Sequence, residues 1–253
     1  MHAIILAAGH GSRLTEHLPP GQPKCLLPFG GCSLLARHLG LLYRYGVRQA
    51  DLVIGYQADR IIEHVGQLQS RPDVAFHFNP RYEQGSVISL WAASETLTSG
   101  ADILLMDADV LFHPEILSRL IHSESQNCFL LDRDYIDGDE PVKIAVRDGL
   151  MVDFRKHLEP RLRYDYTGES VGFFRLGPAC AGRMAAECAR FDTEGLADAP
   201  HEEALRNVLL EDPSSFAFED VTGLPWIEID FADDVKRARE EILPAIRADQ
   251  PDF

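Results

Sequence analysis

The sequence predicts an α/β fold: a doubly wound, mainly parallel sheet with helices on both faces. Three observations lead there. Apolar strand-type runs alternate with helical periodicity through the first half of the chain. The first apolar run breaks directly into a glycine-rich turn, as the first strand of a nucleotide-binding sheet does. The length of 253 residues, with 45% hydrophobic and 25% charged residues, suits one large domain with a full core.

The elements follow in order. Ala3–Ala7 is a short apolar strand. Ser33–Tyr45 carries Leu34, Leu35, Leu41 and Leu42 at helical spacing, with His38 on the same face and Gly46 available to end the helix. Asp51–Tyr56 reads as a strand, Ala58–Gln69 as a helix with Ile61, Ile62 and Val65 on one face, and Val74–Phe78 as a strand. Val87–Leu97 is helical and Asp102–Met106 a buried strand. Pro114 stands at a favoured first helical position before Glu115–Ser123. The second half changes character. Pro141–Val146 and Leu150–Arg155 flank Arg147-Asp148-Gly149, the pattern of a hairpin with a glycine turn. Ser170–Leu176 is a strand, Pro178–Phe191 and His201–Leu210 are helices, and Phe216–Val221 and Trp226–Asp230 are late strands. Ala232–Ile246 is a charged amphipathic helix that closes the fold. No repeat or linker divides residues 1–253, which read as a single domain: a nucleotide-binding half to about residue 125, then an acceptor-binding half from about residue 126.

The chemistry begins at Leu6-Ala7-Ala8-Gly9-His10-Gly11-Ser12-Arg13-Leu14, followed by Pro23-Lys24-Cys25. The glycines let backbone N–H groups approach phosphate oxygens and form an anion-binding concavity. Arg13 and Lys24 add positive charge over the same phosphates. The other common phosphate motifs do not fit. There is no G-x-x-x-x-G-K-[ST], and G-x-G-x-x-G fails because residue 14 is Leu. A dinucleotide-binding dehydrogenase also needs an acidic ribose ligand after the second strand, where Gly55-Tyr56-Gln57 offers none. His10 falls at the variable position of the turn and reads as solvent-exposed.

Two acidic positions sit where a divalent cation would be held. Met106-Asp107-Ala108-Asp109 follows an apolar strand, and Trp226-Ile227-Glu228-Ile229-Asp230 alternates so that Trp226, Glu228 and Asp230 share a face. Mg²⁺ takes hard oxygen ligands, one or two carboxylates plus substrate phosphates. Asp109 and Asp230 are each also suited to capping the helix that follows, and both readings stand at this point.

Taken together, L-A-A-G-x-G-[ST]-R-[LM] followed by P-K resembles the signature of the nucleotidyltransferase superfamily that activates sugar phosphates and phospho-alcohols. The resemblance implies a Rossmann-like, GT-A-type sheet. It implies that Leu6, Ala7, Ala8, Gly9, Gly11, Ser12, Arg13 and Lys24 hold an NTP, with Gln57, Ser86, Ser89 and Asp107 completing the nucleotide site. It implies Asp109 and Asp230 as Mg²⁺ ligands, with Arg13, Lys24 and Lys143 as further catalytic residues.

Downstream segments are similar to cytidylyltransferases that act on phosphocholine, phosphonates or inositol 1-phosphate. Asn79-Pro80-Arg81-Tyr82 through Ser86-Val87-Ile88-Ser89-Leu90 resembles their base-pocket stretch, with Gly85-Ser86 where those relatives often carry paired asparagines. Glu140-Pro141-Val142-Lys143-Ile144 resembles their E-x-x-K strand, so Lys143 would meet the acceptor phosphate. It could equally be an edge-strand lysine. Glu169-Ser170-Val171-Gly172 resembles the acceptor-side strand, and His201-Glu202-Glu203 resembles a Y-E-D segment with His for Tyr and Glu for Asp. Glu169, Gly172, Glu202 and Glu203 are therefore expected on the acceptor side. Convergence of aromatics such as Trp91, Tyr135, Phe154, Tyr164, Tyr166 and Trp226 would suit a quaternary ammonium, though scattered aromatics are more often core.

Composition bounds the rest. A net charge of −16 argues against nucleic acid or an anionic membrane as partner. No run approaches the roughly 18 apolar residues of a membrane helix, and Met1 leads straight into the first strand, so a cytoplasmic location is expected. Cys25, Cys32, Cys128, Cys180 and Cys188 lack metal-site spacing and read as reduced thiols. The expected function is Mg²⁺-dependent transfer of a nucleotide, foremost from CTP, to a small phospho-alcohol or phosphonate with release of pyrophosphate. The alternatives are a sugar-1-phosphate nucleotidyltransferase using UTP, dTTP or GTP, and a catalytically silent nucleotide-sensing subunit. A homodimer is left open.

Overall fold

The computed structural model describes residues 1–11, 13, 14 and 21–250. Strand β1 (His2–Ala7) is the centre of a four-stranded parallel unit: β4 (Gln49–Ile54) and β6 (Ile103–Asp107) flank it, and β5 (Asp73–Phe78) continues beyond β4. Alternation along these strands separates two cores. Ile4, Val53, Ile103 and Leu105 face one side, where helices α3 (Ser86–Trp91), α4 (Ser94–Leu97), α6 (Pro178–Thr193) and α7 (His201–Glu211) cover them. Ala3, Ile5, Leu52, Leu104 and Met106 face the other, under α1 (Leu34–Arg44), α2 (Ala58–Gly66) and α5 (Pro114–His122). Helices on both faces follow from strands that are apolar on both sides.

Past β6 the sheet turns antiparallel. The long strand β11 (Tyr166–Leu176) pairs with β6 through its second half and with β9 (Lys143–Arg147) through its first. β10 (Leu150–Arg155) completes the expected hairpin with β9. The run Cys128–Asp132, unassigned above, forms β8, which pairs with β11 and carries β12 (Ala217–Asp220) in parallel. The handover along β11 occurs around Gly172, whose φ of +81° lets the strand turn between partners.

Two expected helices are interrupted. Residues 87–97 divide into α3 and α4, and the break lets the Thr96 hydroxyl donate to Asp51 at 2.9 Å. The closing helix is α8 (Ala232–Arg237), a wide π turn over Ala238–Ile242, and α9 (Leu243–Asp249). Pro244 has no N–H to give the preceding turn, and the wider turn absorbs that loss. These segments pack as a third core of Leu14, Leu27, Phe29, Leu111, Ile229 and Ile246, which clamps the end of the glycine-rich turn to the closing helix. A small hairpin, β2 (Pro28–Phe29) and β3 (Cys32–Ser33), precedes α1, whose Ser33 Oγ accepts from the Ala36 N–H at 3.0 Å. Among the described residues all five cysteines are unpaired, and no helix is long and apolar enough to cross a membrane.

Candidate active site

The site is built where β1 and β6 end side by side. Leu6 and Asp107 are register partners, so the glycine turn after β1 and the Asp107-Ala108-Asp109 turn after β6 leave the sheet at the same edge. A short two-stranded ribbon supplies the third wall. β7 (Val110–Phe112) pairs antiparallel with β13 (Trp226–Glu228), with Val110 opposite Glu228. The strand stops at Glu228, but the Ile229 N–H still donates to the Asp109 carbonyl at 3.1 Å. That bond carries Asp230 alongside Asp109.

Lys24 closes the arrangement. Its ammonium lies 2.6 Å from Asp109 Oδ2 and 2.7 Å from Asp230 Oδ1. Burial alone would lower the Lys24 pKa, but the two carboxylates outweigh it and hold the pKa above its ordinary value. Against its own burial, Asp230 is held below the usual carboxylate range by Lys24. Arg13 Nη1 stands 3.5 Å from Asp230 Oδ2 and 2.9 Å from Glu140 Oε2, with its guanidinium over the Phe231 ring.

Asp109, Glu228 and Asp230 bring carboxylate oxygens within 4.8 Å of one another. Desolvation in the cleft, with the charges of Asp109 and Asp230, pushes the Glu228 pKa well above its ordinary value. Asp109 Oδ1 is buried and has no hydrogen-bond partner among the described residues. An orphaned carboxylate oxygen beside two further carboxylates fits a hard divalent cation.

Most of the residues expected to hold a nucleotide line one cleft of 190 Å³, Arg13 lying outside its wall. Leu6, Ala7, Ala8, Gly9, Gly11 and Lys24 line one side, and Ser86, Ser89, Asp107 and Asp109 the other, with Tyr82 and Gln84 added. Ser86 and Ser89 also hold the wall together. Ser86 Oγ accepts from the His201 N–H at 2.8 Å, and Ser89 Oγ accepts from Asn79 Nδ2 at 3.1 Å. Gly85 has a packing reason, since a Cβ there would collide with the Ala199 backbone. Ser12 lies outside the described residues. Gln57 begins α2 at φ +52° beside Gly21 and is not part of the cleft wall.

A second cleft of 310 Å³ opens on the other side of Asp230 and Glu228, with Glu169, Asp132, Tyr135 and Trp226 on its wall. The expected acceptor residues divide between several places. Glu169 lines this cleft, and burial, then Asp132, pushes its pKa up to about 7. Gly172 packs on Asp107: a Cβ there would fall 2.6 Å from Asp107 Oδ2. Glu202 lies with His201 and Asp107, all three offering ligand atoms within 4.8 Å. Burial, with Glu202 as the largest neighbouring charge, raises the Asp107 pKa well above normal. Glu203 turns to Arg155 at 3.5 Å, away from both clefts. Among the described residues Lys143 makes no hydrogen bond or ion pair with Asp109, Glu228 or Asp230. It pairs with Asp137 at 2.9 Å and donates to the Gly138 carbonyl at 2.7 Å.

Residues that the sequence analysis left without a role include Glu140, Asp132 and Glu228. Asp132 ends Cys128–Asp132 just as Asp107 ends Ile103–Asp107, so an apolar run closed by Asp was the available signal. Glu228 shares the alternating face of Asp230, which was legible. Glu140 was read only as the start of the E-x-x-K segment, and its contact with Arg13, 127 residues away, had no local signal.

A glycine-rich turn, two part-buried ion pairs of Lys24 and a carboxylate triad at strand carboxyl ends are the arrangement of a nucleotidyltransferase site. The MobA-like NTP transferase domain matches residues 3–163, and the chain belongs to that family. It is 26% identical over 248 residues to the CMP-5'-(3-aminopropyl)phosphonate synthase of Streptomyces rubellomurinus, covering 96% of this chain and 39% of that protein. It is 28% identical over 249 residues to a bifunctional IPC transferase and DIPP synthase of Rubrobacter xylanophilus, covering 95% and 52%. The chain thus spans 39% and 52% of the length of these two relatives. A CTP:phosphoglutamine cytidylyltransferase of Campylobacter jejuni is 21% identical over 258 residues, covering 93% and 98%. In fold, the chain is similar to the inositol-1-phosphate CTP transferase of T. maritima, with a TM-score of 0.74, 21% identity and coverage of 97% and 96%. The CTP:phosphocholine cytidylyltransferase of Streptococcus pneumoniae gives a TM-score of 0.69, 19% identity and coverage of 94% and 97%.

Proposed function

We propose that the protein is a Mg²⁺-dependent cytidylyltransferase that joins CTP to a small phosphorylated alcohol or phosphonate and releases pyrophosphate. The observation that carries this reading is Lys24 held between Asp109 and Asp230 beside the glycine turn. It places one cation and two potential metal ligands at the mouth of a phosphate-sized cleft. Relatives named for CMP-phosphonate and phosphoglutamine cytidylyl chemistry support CTP and this acceptor class.

In this reading the backbone of Gly9–Gly11 cradles the triphosphate, and Arg13 and Lys24 neutralise it. Entry of the nucleotide requires both side chains to exchange carboxylate partners for phosphate oxygens. Asp109, Asp230 and Glu228 would hold Mg²⁺, which when bound supplies charge stabilisation at the phosphates. An oxygen of the acceptor phosphate or phosphonate attacks the α-phosphorus in line. The new P–O bond forms as the bond to pyrophosphate breaks, and the protein contributes position and charge rather than a covalent intermediate. Lys143 keeps its proposed acceptor role only if it leaves Asp137. Unpaired cysteines suit a reducing, cytosolic setting.

The test is pyrophosphate release over four NTPs against phosphocholine, aminoethylphosphonate, inositol 1-phosphate and hexose 1-phosphates. Turnover with CTP and a phospho-alcohol or phosphonate is expected. Turnover confined to UTP, dTTP or GTP with hexose 1-phosphates would overturn the reading, as would the absence of turnover with every pair.

A further inference from the structure

A fully buried histidine reaches the ribbon that carries the carboxylate triad. His38, on α1, is 0% exposed. Its Nε2 lies 2.7 Å from the carbonyl oxygen of Val110, on β7. A carbonyl only accepts, so Nε2 carries the proton of this bond. Nδ1 has no partner among the described residues. Burial lowers the pKa to about 4, which keeps the imidazole neutral at physiological pH. The ring is also held by aromatic neighbours. Phe112 and Phe173 lie edge-on to it at centroid distances of 5.0 and 5.7 Å, and they pack on one another at 4.8 Å.

The Val110 carbonyl needs that donor. β7 and β13 form a ribbon of two strands, so each has one edge without a strand neighbour. The Ile229 N–H bonds to the Asp109 carbonyl across the ribbon, and bonded and non-bonded pairs alternate along an antiparallel ladder. Val110 and Glu228, the next pair, therefore turn their own peptide groups away from each other, toward the open edges. Val110 is 1% exposed, so water does not satisfy its carbonyl. A buried carbonyl without a donor is costly, and His38 supplies one from the neighbouring helix. The bond ties the ribbon to α1 one residue beyond Asp109. Glu228 stands directly opposite Val110, and the Ile229–Asp109 bond carries Asp230 along. All three carboxylates of the triad thus depend on where this one pair of residues is fixed.

We propose that His38 is a positioning residue for the triad: its Nε2–H bond to Val110 fixes the ribbon where Asp109, Glu228 and Asp230 can share one divalent cation. The inference rests on the proposed function for the identity of that ligand. His38 lines neither cleft and acts through the backbone of β7. A histidine that merely filled the core would add stability without changing the affinity of the triad for an ion.

The test uses Mn²⁺ alone, titrated into the protein and followed by the loss of its free-ion EPR signal. His38→Leu keeps an apolar side chain and removes the donor. It should bind Mn²⁺ about 10–100-fold more weakly than the parent, the usual cost of removing a group that orients metal ligands. His38→Met takes its place if the leucine variant does not fold, since a thioether fills irregular space. His38→Gln, whose amide can donate to the same carbonyl, should recover most of the loss. Leu39→Ala removes core contacts from the same helix without touching the bond, and it should keep the parent's affinity. Thermal unfolding of each variant separates lost stability from lost affinity. Parent-like affinity in the folded variant without a donor would overturn the inference, as would an equal loss in Leu39→Ala or no recovery in His38→Gln. A parent protein that binds no Mn²⁺ would overturn it outright. A parent that binds Mn²⁺ but turns over no NTP would overturn the proposed function alone, and the Mn²⁺ comparison would still decide the part played by His38.

Discussion

Gly172 and Asp107 are in contact in a way that leaves no room for a side chain: a Cβ on Gly172 would lie 2.6 Å from Asp107 Oδ2, and Gly172 holds φ +81°. The bend in β11 and the aspartate that ends β6 thus define one another. Gly172→Ala should destabilise the fold by about 1–2 kcal/mol from the backbone alone. It should also displace Asp107 into the nucleotide cleft and weaken nucleotide binding. Denaturant unfolding together with NTP titration checks both effects. Unchanged stability and affinity would mean that the bend is not needed.

The carboxylates that meet at Lys24 should be indispensable to turnover and dispensable for folding. Their side chains are 19% and 27% exposed for Asp109 and Asp230, so neither is a core residue. Asp109→Asn and Asp230→Asn should each lower kcat by about 10²–10³-fold, the usual cost of removing a charge-stabilising element. Cooperative thermal unfolding should persist. Near-normal turnover of either variant at saturating Mg²⁺ would remove that residue from the proposed metal site.

Arg13 and Lys24 should separate from the general charge of the protein. Losing a charge-assisted contact costs roughly 1.5–3 kcal/mol, so Arg13→Ala and Lys24→Ala should weaken NTP binding about tenfold to a hundredfold. Lys236→Ala, on α8, should change it little. Calorimetry with CTP decides, and equal affinity of Arg13→Ala and the parent would contradict the phosphate-loop assignment.

Glu169 should leave a pH signature on stability. Its pKa rises from 4.5 to about 7 on folding. The folded state therefore favours the protonated carboxyl. Its effect on stability is absent below about pH 4.5, where both states are protonated, and stability is lost as pH climbs from 4.5 to about 7. Above that the deficit is constant. Glu169→Gln should raise the Tm at pH 8 and leave it nearly unchanged at pH 4.5. Unfolding scans at the two pH values give the difference directly, and an equal shift at both would rule out this titration.

Much of the architecture was legible because it is written in local patterns. The glycine turn, the Pro-Lys pair, the Asp-x-Asp turn after an apolar run and the Arg147-Asp148-Gly149 hairpin each need only a few neighbouring residues to be read. Other features were less accessible for equally physical reasons. β8 is a five-residue apolar run without alternation, which periodicity alone cannot distinguish from a helical segment. The breaks at residues 92–93 and 238–242 answer to packing and to Pro244, not to the amphipathic pattern, which continues through both.

By itself, the sequence determined the α/β class, the glycine-rich turn after the first strand and the candidate status of Asp109 and Asp230, since those follow from spacing, turn chemistry and strand ends. Only the tertiary structure decided that Lys24 lies between two carboxylates, one of them 206 residues away, and that Glu228 joins them. It also separated Lys143, tied to Asp137, from Glu169, the register partner of Asp132 in the second cleft. The reason is that strand register and ribbon pairing set these distances. The β7–β13 pairing that brings Asp230 to Asp109 joins segments more than a hundred residues apart, and no local periodicity records which distant strand will lie alongside.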